Sequence, residues 1–303
     1  MEKFDGVVGG LAALLAAVLV AACGAGQPAT TPVSPQPIVT GRVLSASPSP
    51  RATKSPTRHI ATPHITASPK PFCPFPAMTP VTRAPGVGKT VALTFDDGPS
   101  PYTPRILAIL ARFHVHATFF ETGLHDGTYP QYARAVIAAG DALGNHTYDH
   151  PKNWGFRTYF SLTTQRAEVT RTSFLQETFI GHEPCVMRPP GGAWDSTSLA
   201  LVRSLGMSMV LWTTDSEDWR QPPSLSTAFQ QSIIRNADSG VGLRHPIVLM
   251  HDGKASHEPE CGPQICAQGQ VSSFRGNTVA ALPAIIEFFL THGYRFVTLP
   301  GFA

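Results

Sequence analysis

The sequence predicts a parallel α/β sheet or barrel behind a long tether, and three observations carry that prediction. After Lys89, seven short apolar runs alternate with six stretches of helical spacing. Residues 24–85 have a composition that cannot build a core. Polar residues gather where the apolar runs end, which is where such sheets carry their chemistry.

In chain order, VALTF (91–95) precedes the helical stretch TPRILAILARF, ATFFET (117–122) precedes YPQYARAVIAAG, and DALGN (141–145) precedes LTTQRAEVTRTSFLQETF. VMRPP (186–190) is followed by STSLALVRSLG, MSMVLWT (207–213) by LSTAFQQSIIRNA, and PIVLM (246–250) by NTVAALPAIIEFFLTHG. YRFVTL (294–299) closes the series. The short runs are bounded by turn residues and read as buried strands. The longer ones space their apolar residues as helices do and stop at Gly or polar residues.

Ahead of this part, residues 24–85 hold 14 of the 29 prolines, many Ser and Thr, and no Asp or Glu. Such a segment buries too little apolar surface to offset its entropy and is expected to stay a disordered, extended linker. It carries six cations, Arg42, Arg51, Lys54, Arg58, Lys70 and Arg83; with −1 on residues 1–23, a net −2 remains for residues 86–303. The basic balance belongs to the linker, so no nucleic-acid partner is expected for the folded part. Residues 1–23 contain GVVGGLAALLAAVLVAAC, an apolar run shorter than a bilayer span and suited to a signal-peptide core. It stops at Val20-Ala21-Ala22-Cys23, which resembles the bacterial lipobox, in which the Cys is lipidated. Three regions follow: a lipoprotein-type signal peptide, 1–23; a Pro/Ser/Thr-rich linker, 24–85; and a folded domain, 86–303. The expected location is the extracellular face of a bacterial membrane, or outside the cell. Export favours disulfides among Cys73, Cys185, Cys261 and Cys266. Three pairings are open; Cys261–Cys266 closes the easiest loop and would leave Cys73–Cys185. The absence of close CxxC pairs speaks against a zinc-binding cysteine cluster.

At the strand ends stand Asp96 and Asp97 after the first run, His146 after the third, Arg188 at the fourth, Asp215 and Asp218 after the fifth, and His251 after the sixth. Two adjacent carboxylates repel each other unless a cation sits nearby. In GNHTYDHP, the spacing of His146 and His150 puts both rings on one side of a helical turn. With Asp97 they make a His-His-carboxylate set with positions open for water, the ligand count of a catalytic zinc. One aspartate then holds the cation while its neighbour takes a proton from water.

TFDDGP (94–99), HTYDH (146–150), RPP (188–190), DSEDW (215–219) and LMH (249–251), in this order, resemble the five motifs of the polysaccharide deacetylase family, the NodB-homology group of carbohydrate esterases, known as family 4. The likeness spans roughly residues 88–300 and includes ATFF, NTVAALP and YRFVTL. It implies a distorted (β/α)7-type barrel in which Asp97, His146 and His150 hold a divalent metal, zinc first and cobalt as the alternative. Asp96 would be the general base, paired with Arg188, and His251 the general acid, paired with Asp218. Trp219 and Leu249 would line the pocket for the acetyl methyl. The family usually has an aromatic residue after RPP, where this chain has Gly191 and Gly192. The Gly191 N–H can still donate to an oxyanion, and Trp194 is the candidate to replace the lost ring. Glu121, inside an apolar strand, has no account at this level.

The resemblance implies a metal-dependent enzyme removing N-acetyl groups from an extracellular glycan, either peptidoglycan or a chitin-like N-acetylglucosamine polymer. Its rivals are an O-acetyl esterase acting on xylan and a glycan-binding surface protein without turnover. A lipid anchor would hold it to the membrane, and a monomer is expected. Residues 254–275 look like an insertion, expected to overhang the site and form one wall of the glycan cleft. Within it His257, Glu258 and Glu260 read as a solvated loop ahead of a second metal site. His114, His116, His125, His182, His245 and His292 have no partner at ligand spacing and default to surface or structural roles.

Overall fold

A computed structural model describes residues 73–299, apart from 75, 156, 256, 263–265, 268 and 269. The expected signal peptide with Cys23, and the linker as far as residue 72, lie outside the described residues. Eight strands form one parallel sheet: β1 (Thr90–Asp96), β2 (Thr118–Glu121), β3 (Ala142–Asn145), β4 (Val186–Met187), β5 (Ser208–Met209), β6 (Thr214–Asp215), β7 (Ile247–His251) and β8 (Arg295–Phe296). Their order is β5-β4-β3-β2-β1-β7-β6, with β8 paired to the start of β1. Seven helices connect them: α1 (Thr103–Phe113), α2 (Gly123–Thr128), α3 (Pro130–Ala138), α4 (Leu162–Ile180), α5 (Ser196–Ser204), α6 (Thr227–Asp238) and α7 (Gly276–Thr291).

Local chemistry explains several boundaries. Ser161 caps α4 by accepting the Thr164 N–H, and Gly181 ends that helix at φ 77°. Asp195 and Ser198 form a reciprocal capping box at the start of α5. The run MSMVLWT, expected as one strand, forms one only at its start. Its start, β5, lies at one edge of the sheet; β6 follows four residues later at the opposite edge. The five steps from Met209 to Thr214 reach at most about 18 Å. The two edges must therefore face each other, and the sheet curls into an incomplete barrel. Thr213 takes up the turn, its N–H bonding to Ile247 O at 3.0 Å.

Alternation along β1 separates two cores. Val91, Leu93 and Phe95 pack outward with Phe119, Leu143 and Met250 against α1, α6 and α7, whereas Ala92 packs inward with Phe120, Val186 and Ile247. Burying each large side chain of this kind stabilises the fold by about 1.5–3 kcal/mol. Part of the sequence assigned to the linker is held to the sheet. Val81 forms a parallel bridge with Val210, Ala84 N–H bonds to His245 O at 2.8 Å, and a disulfide joins Cys73 to Cys185. A second disulfide joins Cys261 to Cys266. Among the described residues no helix is long and apolar enough to cross a membrane.

Candidate active site

Parallel register places Asp96, the last residue of β1, directly beside His251, the last of β7. Period-two alternation turns Asp96 to the same inner face as Ala92 and Thr94. There Asp96 Oδ1 accepts from Arg188 Nη1 at 2.7 Å, and the same nitrogen reaches Thr94 Oγ1 at 2.8 Å. Arg188 is fully buried, with its guanidinium 4.2 Å from the Phe120 ring centre.

Asp97 leaves the strand at φ 68°, in the left-handed region, which costs a non-glycine residue on the order of 1 kcal/mol and persists where the surroundings enforce it. His125 donates its Nδ1–H to Asp97 O at 2.7 Å. A Cβ on Gly253 would lie 2.0 Å from that oxygen, so only glycine fits beside this turn. His146 and His150 do not lie on a helical turn, as the spacing suggested. Residues 146–150 form a loop in which Thr147 and His150 have φ of 65° and 58°. Side chains take the N–H groups that a helix would use: Asn145 Oδ1 accepts from Thr147 at 2.8 Å, and Glu168 Oε2 accepts from Tyr148 and Asp149 at 3.0 and 3.2 Å.

The loop brings Nε2 of His146 and Nε2 of His150 each to 3.5 Å from Asp97 Oδ1. One ligand atom from each residue falls within 4.8 Å of the others, so the triad can hold a metal ion. Two observations support the fit. Asp97 Oδ1 is buried without a hydrogen-bond partner among the described residues. His146 Nδ1 faces the Arg188 carbonyl at 2.7 Å, so Nδ1 carries the proton and a neutral ring turns its Nε2 lone pair toward the carboxylate. Lone pairs converging on an anion require a cation between them. Burial would raise the Asp97 carboxyl, but His150, His146 and His251 outweigh it and hold it well below its ordinary value. Without a metal, protons substitute: burial opposes it, yet Asp96 and Asp97 raise His146 above the usual histidine range.

On the opposite side, His251 Nδ1 donates to Asp218 Oδ1 at 2.7 Å. Asp218 Oδ2 accepts the His251 N–H and the Thr278 hydroxyl at 2.9 and 2.8 Å. Burial works against charging the ring, but the adjacent carboxylate raises its pKa to about 9. His251 is thus an imidazolium at neutral pH, able to donate its Nε2 proton.

Comparison with known proteins agrees with this geometry. Residues 83–210 match the family model for polysaccharide deacetylases. A peptidoglycan-N-acetylglucosamine deacetylase of Bacillus cereus is 32% identical over 220 residues, covering 72% of this chain and 89% of its own. A chitooligosaccharide deacetylase of Azorhizobium caulinodans is 31% identical over 215 residues, 70% of this chain and 93% of its own. The chain belongs to the polysaccharide deacetylase family. A crystal structure of a peptidoglycan N-acetylglucosamine deacetylase matches with TM-score 0.59 and 29% identity, covering 72% of this chain and 90% of its own.

A cavity of about 360 Å³ is lined by the Asp97–His146–His150 triad, Asp96, His251, Gly191, Trp219 and Leu249. Trp194, expected to replace the aromatic residue after RPP, packs instead against the cluster around Trp154. Besides Trp219, Trp212 brings a ring to the cavity, and it fits because Gly192 has no Cβ; one would meet Trp212 at 2.8 Å. In the sequence Trp212 sits inside the apolar run MSMVLWT, where nothing distinguishes it from a core residue. His125 takes a structural role, as its spacing suggests, whereas Glu168 and Thr278 are not legible in the sequence, since polar residues on helices read as solvated faces.

Residues 254–275 do reach the site, with Glu258 and Val271 lining the cavity. His257, Glu258 and Glu260 scatter to Asp149, His150 and Lys254, and the single metal-type cluster among the described residues is Asp97–His146–His150. Glu121 gains its account from α2. It is fully buried, and burial plus neighbouring Asp126 push it well above the carboxylate range. Burial raises Asp126 too, to about 7, so this pair of acids gives up its protons well above the usual carboxylate range.

Proposed function

We propose that this chain is a metal-dependent deacetylase that hydrolyses N-acetyl groups of an extracellular N-acetylglucosamine polymer, peptidoglycan or chitin-like. The observation that supports the proposal is the placement of Asp96 and His251 on adjacent strand ends, with the Asp97–His146–His150 triad at the same cavity. A divalent metal, with zinc proposed, would supply Lewis acidity for the water and the acetamide oxygen. Asp96, oriented by Arg188, takes the proton as water adds to the acetamide carbon. Gly191 lines the cavity, and its N–H would donate to the developing oxyanion. The carbon–nitrogen bond then breaks as His251 gives its proton to the nitrogen, leaving acetate and a free amine. Trp219, Leu249 and Trp212 supply apolar walls for the methyl and the sugar.

The relatives named above act on peptidoglycan N-acetylglucosamine and on chitooligosaccharides, and those two polymers are the first substrates to test. Acetate release from chitooligosaccharides, peptidoglycan and acetylated xylan, with and without a chelator, decides the matter. Chelator-sensitive release from either of the first two supports the proposal. Release from xylan alone identifies an O-acetyl esterase, and no release from any of the three leaves a glycan-binding protein. We also propose that Cys23 carries a lipid anchoring the enzyme to the outer face of the membrane. Cys23→Ser should then move the protein out of the detergent-extracted membrane fraction, and a mature wild-type N-terminus without a lipid-modified Cys23 sinks the idea.

A further inference from the structure

The two metal-binding histidines present the same nitrogen to Asp97 but differ behind it. Their ring centres are 4.9 Å apart, and both rings are buried. The Nδ1–H of His146 has an acceptor, the Arg188 carbonyl at 2.7 Å. The Nδ1 of His150 is equally shut off from solvent and has no hydrogen-bond partner among the described residues. An imidazole that ligates through Nε2 carries its proton on Nδ1, and that N–H ordinarily has an acceptor which fixes the ring and strengthens it as a ligand. The charged group facing this nitrogen is Glu258, with Oε1 4.0 Å away. A displacement of about 1 Å would bring it to the distance of a charge-assisted hydrogen bond.

Glu258 does not come from the strand-end framework. It sits on the strap of residues 254–275, which is fastened on both sides of the cavity. On one side His257 Nε2 lies 3.3 Å from Asp149, the neighbour of His150. On the other, Cys266 N–H and Ser272 N–H donate to the carbonyls of Arg220 and Trp219 at 3.2 and 2.9 Å. Lys254 Nζ holds the Glu258 carbonyl at 2.6 Å, leaving the carboxylate of that residue to reach His150.

We propose that Glu258 is the positioning residue for His150: the strap delivers its carboxylate to the rear nitrogen of that ring and so sets how tightly the Asp97–His146–His150 triad holds its metal. This rests on the metal-binding reading of the triad and deepens it. The strap is then part of the metal site, beyond forming a wall for the glycan.

The test is Zn²⁺ affinity of the full-length chain, measured by competition with a chromophoric chelator at fixed pH. Glu258→Ala should weaken Zn²⁺ binding by about 10–100-fold, the usual consequence of removing such a partner. Glu258→Gln, which keeps an uncharged acceptor, should lose less. Glu260→Ala is the control for general disturbance of the strap, because Glu260 Oε1 accepts from Ser273 N–H and hydroxyl at 2.8 and 3.1 Å and does not face His150; it should bind Zn²⁺ like wild type. Wild-type affinity in Glu258→Ala overturns the inference alone, as does an equal loss in Glu260→Ala. A wild-type chain that retains no Zn²⁺ overturns the inference together with the metal reading beneath it.

Discussion

The cavity is walled by two regions that are held in different ways: a floor of strand ends and a strap laid over it. In the floor, Asp96, Arg188, His251 and Asp218 are tied by side-chain bonds of 2.7 Å and set in place by the register of β1 against β7. In the strap, the fastenings are a few backbone bonds, an exposed His257–Asp149 pair and the Cys261–Cys266 disulfide. The floor is where chemistry needs positions fixed to a fraction of an ångström; the strap is where a family can vary what enters. Breaking the floor should therefore abolish turnover, and breaking the strap should tune it.

The largest effect is expected at the triad. His146→Ala or His150→Ala should lose both metal and acetate release, because two remaining ligands cannot hold the ion; metal analysis of the purified variants checks this. Asp96→Asn should separate the two losses, retaining metal while turnover falls by about 10²–10⁴. If Asp96→Asn lost its metal and Asp97→Asn kept it, the roles assigned to the two carboxylates would be interchanged.

A smaller effect with a distinct signature is expected at Asp218. Because His251 must be protonated to donate, kcat/KM should fall as pH rises through about 9. Asp218→Asn removes the charge that raises the ring, so the basic limb should move down toward the ordinary histidine value near 6.5, with kcat reduced by about 10-fold or more. The same shift contributes to stability. The folded ring binds its proton more tightly than the unfolded one, so the stabilisation is complete below about 6.5 and is lost as pH rises through about 9. A pH profile unmoved by Asp218→Asn would show that His251 is not the acid.

The contrast between floor and strap also explains what the sequence disclosed. Asp96, Asp97, His146, Arg188 and His251 each end or follow an apolar run, and in a parallel sheet that adjacency alone places them at one rim. Their supports were hidden. Glu168 and Thr278 reach the site from helices across the fold, and a polar residue on a helix looks solvated until tertiary contacts are known. The left-handed turns at Asp97, Thr147 and His150 were hidden too, because side-chain acceptors and close packing impose them against local preference. The α2 segment GLHDGT carries two glycines and too few residues for a periodic signal. The MSMVLWT run gives no sign that only its start is a strand, since it stays apolar as far as Trp212 while the chain crosses from one edge of the sheet to the other. In the strap, spacing suggested that His257, Glu258 and Glu260 were loop, and that reading missed the direction of Glu258.

The smallest effect is expected from the strap's own cross-link, and it tests whether strap and floor unfold together. Chain entropy assigns about 5 kcal/mol to Cys73–Cys185, which spans 112 residues, and about 2 kcal/mol to Cys261–Cys266, which spans 5. The first ties the leading segment to the residue just before β4, beside the edge strand β5, so its loss bears on the whole cooperative unit; replacing both of its cysteines by serine should lower Tm by about 10–20 °C. The second lies within a segment fastened by few bonds, and such segments open locally at a free energy below that of global unfolding. A constraint on local opening does not appear in a global melt. Cys261→Ser with Cys266→Ser should therefore leave Tm within about 2 °C of wild type, while hydrogen exchange accelerates across 254–275 and hardly changes in β1 and β7. A fall in Tm matching that of the Cys73–Cys185 variant would mean that the strap belongs to the same folding unit as the floor. The separation of a fixed chemical floor from an adjustable cover would then fail.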